Sequence, residues 1–417
     1  MILETKDLNK CYGCFACMNI CPQKCIDLKQ DQEGFFMPVV DEKECVQCGL
    51  CDKVCIIDKK TNDLVDRNES EFECYFGFIN DDAARKRSAS GGLSYALAEN
   101  IIHDGGIVYG VVGKWFGDVH HVRVSTSEEL NAICGSKNIQ SRVGLCYQKA
   151  KEDLEQGKKV FFTGTPCQIA AFYSFLGNEK KYPNLLTADL ICHGVPSQLV
   201  LKAYIAELEK EHNKKVVKFG RDQTFQYVPV QYIVWFEDGT YEILMPETSL
   251  YRKGFLSNLY QRKSCSDCGF SQIPRVADIT MGDVMFSVDI PVEHLDPKNL
   301  GVSLAVANSK KGKKLLMSIK DIFMLYTLEK ERAINGNRWL SHGIPENKLR
   351  TDFFTIFVSD GFLATKNIIQ KSYDDMMHGY VLDAKIYRFK LLFKPKILLQ
   401  KFLRKLHKKE KSIEDHL

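Results

Sequence analysis

Residues 11–22 read CYGCFACMNICP, and residues 45–55 read CVQCGLCDKVC. Both stretches follow the spacing C-x-x-C-x-x-C-x-x-x-C, and each cysteine of the second lies 34 positions after its counterpart in the first. The chain therefore contains an internal repeat. Three cysteines in a tight loop can bind three irons of one cube, while the fourth points away from it. A zinc site needs only four ligands in two pairs, so this doubled pattern favours two iron–sulfur clusters.

The repeat has the spacing of bacterial-type two-cluster ferredoxins, in which the fourth cysteine of each run binds the other cluster. Pro22 follows the first run as that pattern requires, whereas Ile56 stands at the equivalent position of the second. Residues 34–44, between the runs, predict a short strand, and Cys25 is predicted to be a buried thiol. The predicted ligands are Cys11, Cys14, Cys17 and Cys55 for one [4Fe–4S] cluster, and Cys45, Cys48, Cys51 and Cys21 for its twin.

The composition is that of an ordinary soluble protein of 417 residues, with 45% hydrophobic and 26% charged residues. This length predicts two or three domains. The first ten residues do not resemble a secretory signal, and no run approaches the roughly 18 apolar residues that span a bilayer. We therefore expect a cytoplasmic protein, in whose reducing environment the sixteen cysteines bind metal rather than form disulfides. No nucleic-acid partner is expected.

Beyond the cysteine runs the pattern changes at residues 56–73, a polar and charged segment that predicts a linker. Apolar strands then alternate with amphipathic helices, which predicts an α/β domain with a partly parallel sheet. Asp238 and Gly239 separate two alternating runs and predict a hairpin that makes this sheet mixed. The predicted domains are residues 1–66 for the ferredoxin part, 74–330 for the α/β part (74–155 and 156–330), and 331–417 for a helical extension.

Ligands of such sheets bind where strands lead into helix N-termini, and three segments occupy such positions. Ser88, Ser90, Gly91 and Gly92 follow a basic run at residues 85–87 and suit a phosphate. The alternative is a helix N-cap beside a solvated basic loop. Residues 134–141 (CGSKNIQS) and 161–168 (FFTGTPCQ) are the other two segments. The chain contains neither a G-x-G-x-x-G nor a Walker-type run, so no standard nucleotide fingerprint supports these assignments.

Four further cysteines stand at positions that could bring them together. Cys265 and Cys268 form a C-x-x-C pair, Cys192 ends an apolar strand, and Cys167 follows another. Consecutive parallel strands end at one edge of a sheet, so Cys167 and Cys192 could be neighbours and share a metal site with the pair. The alternative is that Cys167 and Cys192 are small buried residues and that the pair alone binds zinc.

The stretches SASGGLSYALAENIIHDGGIVYG, GSKNIQS, GKKVFFTGTPCQIAAF, ICHGVPS, ADITMGDV and GVSLAVANSKKGKKLL resemble, in this order, the β-subunit family of coenzyme F-420 hydrogenases and dehydrogenases. The resemblance runs from about residue 75 to residue 316. It implies a flavoprotein in which FAD lies beside a [4Fe–4S] centre, and a fold of a two-cluster ferredoxin domain, a mixed-sheet α/β flavin-binding domain and a basic helical tail. Its invariant cysteines match Cys167, Cys192, Cys265 and Cys268, which are therefore the predicted ligands of a third cluster.

The resemblance also implies roles for residues around the flavin. Lys137 is predicted to stabilise the reduced flavin anion. His193 is a candidate proton donor, with a purely local hydrogen-bonding role as the alternative. Asp283 either caps a turn or binds ribose. The predicted cofactor-binding residues are Ser90, Gly91, Gly92, Gly135, Ser136, Lys137, Thr163, Gly164, Thr165 and Asp283.

The predicted activity is oxidoreduction, with electrons passing among the ferredoxin clusters, the third cluster, FAD and a substrate that accepts or donates a hydride. The substrate is a deazaflavin or, in a bacterium, a sugar intermediate of surface-polysaccharide synthesis, and a ferredoxin or another redox protein is the electron partner. The alternative function is an electron-transfer subunit of a larger complex with no substrate of its own. Both functions use the same clusters.

The basic character of the chain is concentrated near its C-terminal end, where residues 385–411 contain eleven Lys and Arg and one acidic residue. Apolar residues recur there at near-helical spacing, and Pro395 predicts a kink. Such a helix could lie on the anionic inner face of a membrane. The alternative is a solvated or protein-docked basic helix.

Overall fold

The computed structural model describes residues 2–68, 70–113, 117–220, 232–245, 247–284, 290, 294 and 300–391. The predicted basic tail lies outside the described residues from residue 392 onward. No helix among the described residues is both long enough and apolar enough to span a bilayer.

The strands, in chain order, are β1 (Ile26–Gln30), β2 (Phe36–Val40), β3 (Glu73–Ile79), β4 (Ile107–Val112), β5 (His120–Val124), β6 (Val160–Gly164), β7 (Leu185–Leu190), β8 (Val216–Gly220), β9 (Tyr232–Phe236), β10 (Tyr241–Leu244), β11 (Ile279–Asp283), β12 (Ser303–Ala307) and β13 (Phe323–Leu328). The helices are α1 (Ile2–Thr5), α2 (Ala16–Ile20), α3 (Leu50–Val54), α4 (Asp82–Arg87), α5 (Leu93–His103), α6 (Ser127–Ile133), α7 (Cys146–Glu155), α8 (Pro166–Leu176), α9 (Gln198–His212), α10 (Leu250–Leu256), α11 (Lys310–Ser318), α12 (Lys330–Gly336), α13 (Arg350–Asp360) and α14 (Lys366–Leu391).

The cysteine repeat of the sequence is also a repeat of the backbone. Gly13 and Gln47, at equivalent positions of the two runs, both have left-handed φ angles, of 60° and 51°. Phe15 and Gly49 are the next equivalent pair, with φ angles of 68° and 72°, and each is the N-cap of the short helix that follows. Non-glycine residues seldom adopt this conformation. The two loops therefore share one fold that is set by cysteine spacing.

The strand predicted between the two runs is β2, which pairs antiparallel with β1, so that Ile26 lies opposite Val40. This two-stranded sheet lies between the two cysteine loops in sequence. Together with α2 and α3 it confirms the predicted ferredoxin-type domain.

The larger domain is built on an eight-stranded sheet with the order β13-β3-β12-β11-β7-β6-β4-β5. Its four central strands, β11, β7, β6 and β4, are parallel. The neighbouring pairs β4–β5, β11–β12, β12–β3 and β3–β13 are antiparallel. The sheet is therefore mixed, as predicted.

Both faces of this sheet are covered, because side chains of a strand alternate between its two faces. Val108 and Phe161 pack with α5 and α11 on one face. Tyr109 and Phe162 pack with α7 and α8 on the other face, where the buried cluster continues into the ferredoxin-type domain. The two domains therefore share one hydrophobic core.

Hydrogen bonds fix the same contact between the domains. Asn19 donates to the carbonyl of Gly144 (2.7 Å), and Gln148 donates to the carbonyl of Asn19 (2.6 Å). Lys59 donates to the Ser174 hydroxyl (2.7 Å). Both Asn19 and Gln148 are at least half-buried, so these bonds satisfy groups that water does not reach.

The predicted hairpin around Gly239 exists, but it does not belong to the main sheet. Its strands β9 and β10 join β8 in a separate three-stranded sheet with the order β10-β9-β8. Val216, Val234 and Phe236 of this sheet pack on α9. The prediction that the hairpin makes the main sheet mixed was therefore wrong. Alternation of apolar and polar residues predicts strands, but it does not predict which sheet they join.

The predicted linker at residues 56–73 packs against the larger domain. Val65 is buried, and Arg67 lies 3.3 Å from the carboxylate of the buried Asp278. The composition of residues 56–73 does not predict this contact, because most of the segment is polar.

The turn between α4 and α5 packs closely against the main sheet. The amide of Ile79 donates to the carbonyl of Gly91 (2.8 Å), and Ser90 donates to the carbonyl of Val302 (2.8 Å). A Cβ atom at Gly91 would lie 2.6 Å from the Ser303 nitrogen and would also overlap the Gly77 carbonyl. Glycine at this position therefore serves close packing.

We expect Gly91→Ala to lower the free energy of unfolding by about 1–3 kcal/mol, because the added methyl group must displace strand backbone. The measurement is urea unfolding of anaerobically purified protein. Gly379→Ala is the matched control, since Gly379 lies in α14 with open space around it and alanine favours a helix. Equal stability of the Gly91→Ala variant and the parent would contradict this account.

Candidate functional site

Four cysteines of the ferredoxin-type domain line one cavity of about 390 Å³. The rest of its lining is mostly apolar and includes Leu8, Leu28 and Pro38. An apolar shell lowers the local dielectric constant and keeps water from the thiolates. The cysteines are those predicted to share a cluster, namely Cys11, Cys14, Cys17 and Cys55.

The twin cavity, of about 360 Å³, brings together the four cysteines predicted for the second cluster, and also Cys25. Cys25 is buried, as predicted, and its sulfur lies 3.4 Å from that of Cys21. The two thiols differ in acidity. Although burial opposes the Cys21 thiolate, amide N–H groups including those of Cys25 and Gln23 lower its pKa overall. Burial and the neighbouring Cys21 raise the pKa of Cys25 to about 12. Cys21, and not Cys25, stands in the repeated C-x-x-C-x-x-C-x-x-x-C spacing, so Cys21 remains the predicted ligand.

A third cavity, of about 370 Å³, lies in the larger domain. Cys167 reaches it from the first turn of α8, and Cys192 reaches it from the segment after β7. Because β6 and β7 are adjacent parallel strands, their carboxyl ends meet at one edge of the sheet. Cys265 and Cys268 complete the lining from a separate segment. The four predicted cysteines therefore converge.

Gly194, two residues after Cys192, allows this convergence. Its φ angle is +76°, and a Cβ atom there would lie 2.7 Å from Ile344 and 3.4 Å from the Cys265 Cβ. A larger residue would hold the two cysteine segments apart.

The thiols of this cavity lie in an environment that disfavours their charged forms. Burial, followed by the nearby Cys268 thiol, raises the pKa of Cys167 and of Cys265 to about 12, while the positive charge of Arg262 opposes the rise. Burial also places the pKa of Cys192 well above its usual value. A metal centre bound here would replace these protons, because thiols bind metals as thiolates.

Tyr12 lies between the first cavity and the third and lines both of them. Its side chain is buried, its hydroxyl accepts a hydrogen bond from the Gly269 amide (3.3 Å), and its ring meets Phe270 edge-on at 5.7 Å. Burial raises the pKa of this phenol, so it is neutral. One aromatic side chain therefore separates the two cysteine sites.

A larger cavity, of about 1030 Å³, lies at the carboxyl ends of the parallel strands. β4 contributes Gly110, β6 contributes Thr163 and Gly164, β7 contributes Leu190 and β11 contributes Met281. Ligands of open α/β sheets bind in this place. Helices α5 and α6 and the loop at residues 134–139 complete the wall.

The large cavity is next to the third cysteine site. Thr165 lines the large cavity, its hydroxyl lies 3.2 Å from the Cys167 sulfur, and Cys167 lines the cysteine site. The next strand repeats this arrangement, since Leu190 lines the large cavity and Cys192, two residues later, lines the cysteine site. Two neighbouring strand ends therefore serve both sites.

Two family matches cover successive parts of the chain. Residues 10–58 match a 4Fe-4S dicluster domain, and residues 157–331 match the C terminus of the coenzyme F420 hydrogenase/dehydrogenase beta subunit. These matches confirm the resemblance found in the sequence: residues 157–331 are similar to this beta-subunit family, and the chain is an iron–sulfur electron-transfer oxidoreductase related to the F420 hydrogenase beta subunit.

Among solved structures, the chain is similar to a chain of the F420-reducing [NiFe] hydrogenase complex from Methanosarcina barkeri. The sequence identity is 17% and the TM-score is 0.42. The similarity covers 72% of this chain and 91% of that chain. No curated protein matches the chain.

Six of the predicted cofactor-binding residues line the large cavity of this beta-subunit domain. Lys137 is half-buried, and its ammonium group donates to the carbonyls of Cys134 (2.6 Å) and Gly135 (3.1 Å). Burial lowers the pKa of Lys137. An ammonium group has three donors, so one remains for a ligand in the cavity. The six residues are Gly135, Ser136, Lys137, Thr163, Gly164 and Thr165.

Other predicted cofactor-binding residues do not line the large cavity. Ser90, Gly91 and Gly92 pack against β3 and the start of β12, while Ser88 and Ala89 of the same turn reach the cavity. Arg85, from the basic run, is buried and lies over the Phe78 ring at 4.2 Å. Phosphate binding by this turn therefore stays a prediction, because close packing and phosphate binding select the same small residues and the structure shows the packing.

Asp283 and His193 also do not reach the cavity lining. Asp283 ends β11, two residues after Met281, and is half-buried. His193 stacks on Phe255 (5.3 Å) and meets Trp339 edge-on (5.1 Å). Burial lowers the pKa of His193 to about 4, so its ring is neutral. The proton-donor role of His193 and the cofactor-binding role of Asp283 therefore stay predictions without support from this cavity.

The sequence did not single out a buried polar network behind the cavity. His121 lies 2.9 Å from the Thr163 carbonyl and 3.1 Å from the Ser141 hydroxyl, and Gln168 donates to the Ser141 carbonyl (3.0 Å). Gln168 also accepts from the Thr165 amide (3.1 Å), which fixes the turn into α8. Ser141 and Gln168 lie in the sequence segments 134–141 and 161–168, which also contain predicted cofactor-binding residues. This proximity in sequence is the signal that could have identified them.

We expect Cys25→Ser to retain both ferredoxin-type clusters and Cys21→Ser to lose about four irons per chain, because Cys21 is the fourth cysteine of the repeated spacing and Cys25 lies outside it. Iron and sulfide quantitation after anaerobic purification distinguishes these outcomes. Each variant controls for the other, since both change a sulfur in the same cavity. Loss of iron from Cys25→Ser alone would assign the ligand role to Cys25.

Proposed function

We propose that the chain holds a third [4Fe–4S] cluster on Cys167, Cys192, Cys265 and Cys268, with FAD in the large cavity beside it. In this proposal electrons pass between the three clusters, the flavin and a substrate that exchanges a hydride. The observation that carries the proposal is the segment from Thr163 to Gln168. Its residues line the large cavity and the four-cysteine site alternately, and a distance of 3.2 Å joins Thr165 to Cys167.

The spacing of the cysteines supports a cluster rather than zinc. Among the described residues, no three His, Cys, Asp or Glu side chains are grouped closely enough to hold a single metal ion. In a [4Fe–4S] cube each of the four irons binds one thiolate, so the four sulfur ligands surround the cube and lie apart from one another. A single zinc ion instead binds all four ligands at about 2.3 Å. Four cysteines around a shared cavity therefore fit a cube better.

The lining of the large cavity supports an organic cofactor, because sites for organic cofactors are mostly apolar with a few placed polar groups. Apolar side chains such as Val111, Leu130 and Ile133 suit a flat ring, and Ser136, Lys137 and Thr165 supply polar groups. A bound flavin would exchange single electrons with a cluster and electron pairs, as hydride, with a substrate.

The chain's own residues would position the flavin and balance its charge. The Lys137 ammonium, already held by two carbonyls, would meet negative charge with its remaining N–H. Gly135 has a φ angle of 79° and open space beside it, so its backbone allows close approach. Thr165 would lie between the cofactor and the cluster ligand Cys167.

We further propose an external ferredoxin or similar redox protein as the electron partner, and a deazaflavin or a sugar intermediate as the substrate. The twin cluster is the natural entry point. Cys48 is exposed there, and the neighbouring Val46 has 62% of its surface exposed. Contact of the basic tail with a membrane is a separate proposal about residues outside those described.

The first test is iron, sulfide and flavin quantitation of the anaerobically purified chain. Three cubes predict about twelve irons, and two predict about eight. Cys167→Ser should remove about four irons. Cys74→Ser is the matched control, because Cys74 is a buried thiol in β3 that lines none of the three cysteine cavities. About eight irons in the parent chain would refute the third cluster.

The second test concerns Lys137. A charge-assisted hydrogen bond contributes about 1.5–3 kcal/mol, so Lys137→Met should weaken FAD binding by roughly 10- to 100-fold. Equilibrium titration of the deflavinated protein with FAD measures this change. Lys151→Met, an exposed lysine of α7, should bind FAD like the parent. Unchanged affinity of the Lys137 variant would remove Lys137 from the site.

A further inference from the structure

Arg262 is a buried cation with an unusual set of partners. Its side chain is 4% exposed, and it lines the cavity of Cys167, Cys192, Cys265 and Cys268. The guanidinium donates to the Cys11 carbonyl (3.2 Å), the Phe36 carbonyl (3.2 Å) and the Gln140 side-chain oxygen (2.9 Å). All of these acceptors are uncharged. Arg262 therefore touches the first ferredoxin-type loop and the third cysteine site at once.

Two other buried arginines have anionic partners. Arg67 lies 3.3 Å from the carboxylate of Asp278, and Arg275 lies 3.2 Å from that of Asp189. Among the described residues, no carboxylate lies within ion-pair distance of Arg262. Burying a charge without a counter-ion is expensive. The structure therefore leaves one positive charge to be balanced by something between the two cavities.

The two clusters would supply that negative charge. A [4Fe–4S] cube with four thiolate ligands carries a net negative charge, and the cavities on either side of Arg262 have four cysteines each. The protein holds the guanidinium close to both of them. A Cβ atom at Gly13 would lie 2.6 Å from Arg262, so only glycine lets the loop reach it.

We propose that Arg262 is the shared counter-cation of the first ferredoxin-type cluster and the third cluster. It is a positioning residue that acts through the clusters. Its charge would stabilise the added electron on either cube and so raise the reduction potentials of both. Exchange between the two would transfer one electron, with no bond made and no proton moved. Tyr12 lines both cavities.

This inference rests on the proposed third cluster, and it also assigns an order to the three clusters. Tyr12 lines the first and third cavities but not that of the twin, and Arg262 bonds the first loop, so in this proposal the twin cluster exchanges electrons with the third through the first. Potential depends on net charge and on hydrogen bonds around a cluster, which are the two properties that Arg262 provides.

The test is redox titration of the chain monitored by electron paramagnetic resonance. We expect Arg262→Gln to lower the midpoint potentials of two clusters by at least about 59 mV, the equivalent of a tenfold change for a one-electron couple. The third potential, that of the twin, should stay unchanged. Arg262→Lys keeps the charge and should keep the potentials near those of the parent.

Arg123→Gln is the control for loss of a cation, because Arg123 pairs with Asp153 and lines none of the three cysteine cavities. It should leave all potentials unchanged. Unchanged potentials in Arg262→Gln with full iron content would overturn the proposal. If Arg262→Gln loses iron, the Arg262→Lys variant provides the test. A fall of about 59 mV or more in the same two midpoint potentials, despite the retained positive charge, would also overturn the proposal.

The same samples separate this inference from the proposed function. About eight irons in the parent chain would refute the third cluster itself. About twelve irons together with an Arg262→Gln titration identical to the parent would refute only the role of Arg262. In the parent, broadening of the first cluster's signal when the third is reduced supports their adjacency, and broadening of the twin's signal instead would contradict the order.

Discussion

The arrangement of the sites depends on how the first cysteine loop is held by the larger domain. Side chains of that domain donate to consecutive carbonyls of the loop. Arg262 and Ser264 bond the Cys11 carbonyl, and Gln140 bonds those of Tyr12 and Gly13. The Tyr147 hydroxyl lies 3.0 Å from the Cys14 carbonyl. Each carbonyl would otherwise be a buried acceptor without a donor, which costs about 1–3 kcal/mol. The loop is therefore fixed in the one position that sets its cavity beside the third cysteine site.

This contact breaks the symmetry of the repeat. The two loops share cysteine spacing and left-handed backbone positions, but the larger domain surrounds them differently. Tyr12 is buried at the interface, whereas Val46, at the equivalent position of the second loop, is 62% exposed. Docking therefore gives the two cluster sites different neighbours. The first lies beside the third cysteine site, and part of the second faces the solvent.

Local patterns predicted much of this architecture. The ferredoxin-type domain follows from cysteine spacing, and the strand–helix alternation predicted β4, α7, β6, α8, β7 and α9. Parallel strand order then implied that Cys167 and Cys192 meet. The errors have a common cause, because small residues before a helix can serve either a ligand or close packing, as Gly91 shows. Arg262 and Tyr12 could not be predicted, since their contact joins positions about 250 residues apart and no local pattern records it.

The same features imply that cluster assembly and domain docking stabilise each other. Without a cluster, the third site holds four thiols whose buried environment disfavours thiolates, and Arg262 lacks a negative partner. Binding of the proposed third cube would replace the protons and supply the counter-charge, so its binding free energy would add to that of the docked fold. Docking in turn brings Arg262 to the first loop. Under this proposal, a cation shared by two cluster sites links the assembly of the electron path to the contact that makes the path continuous.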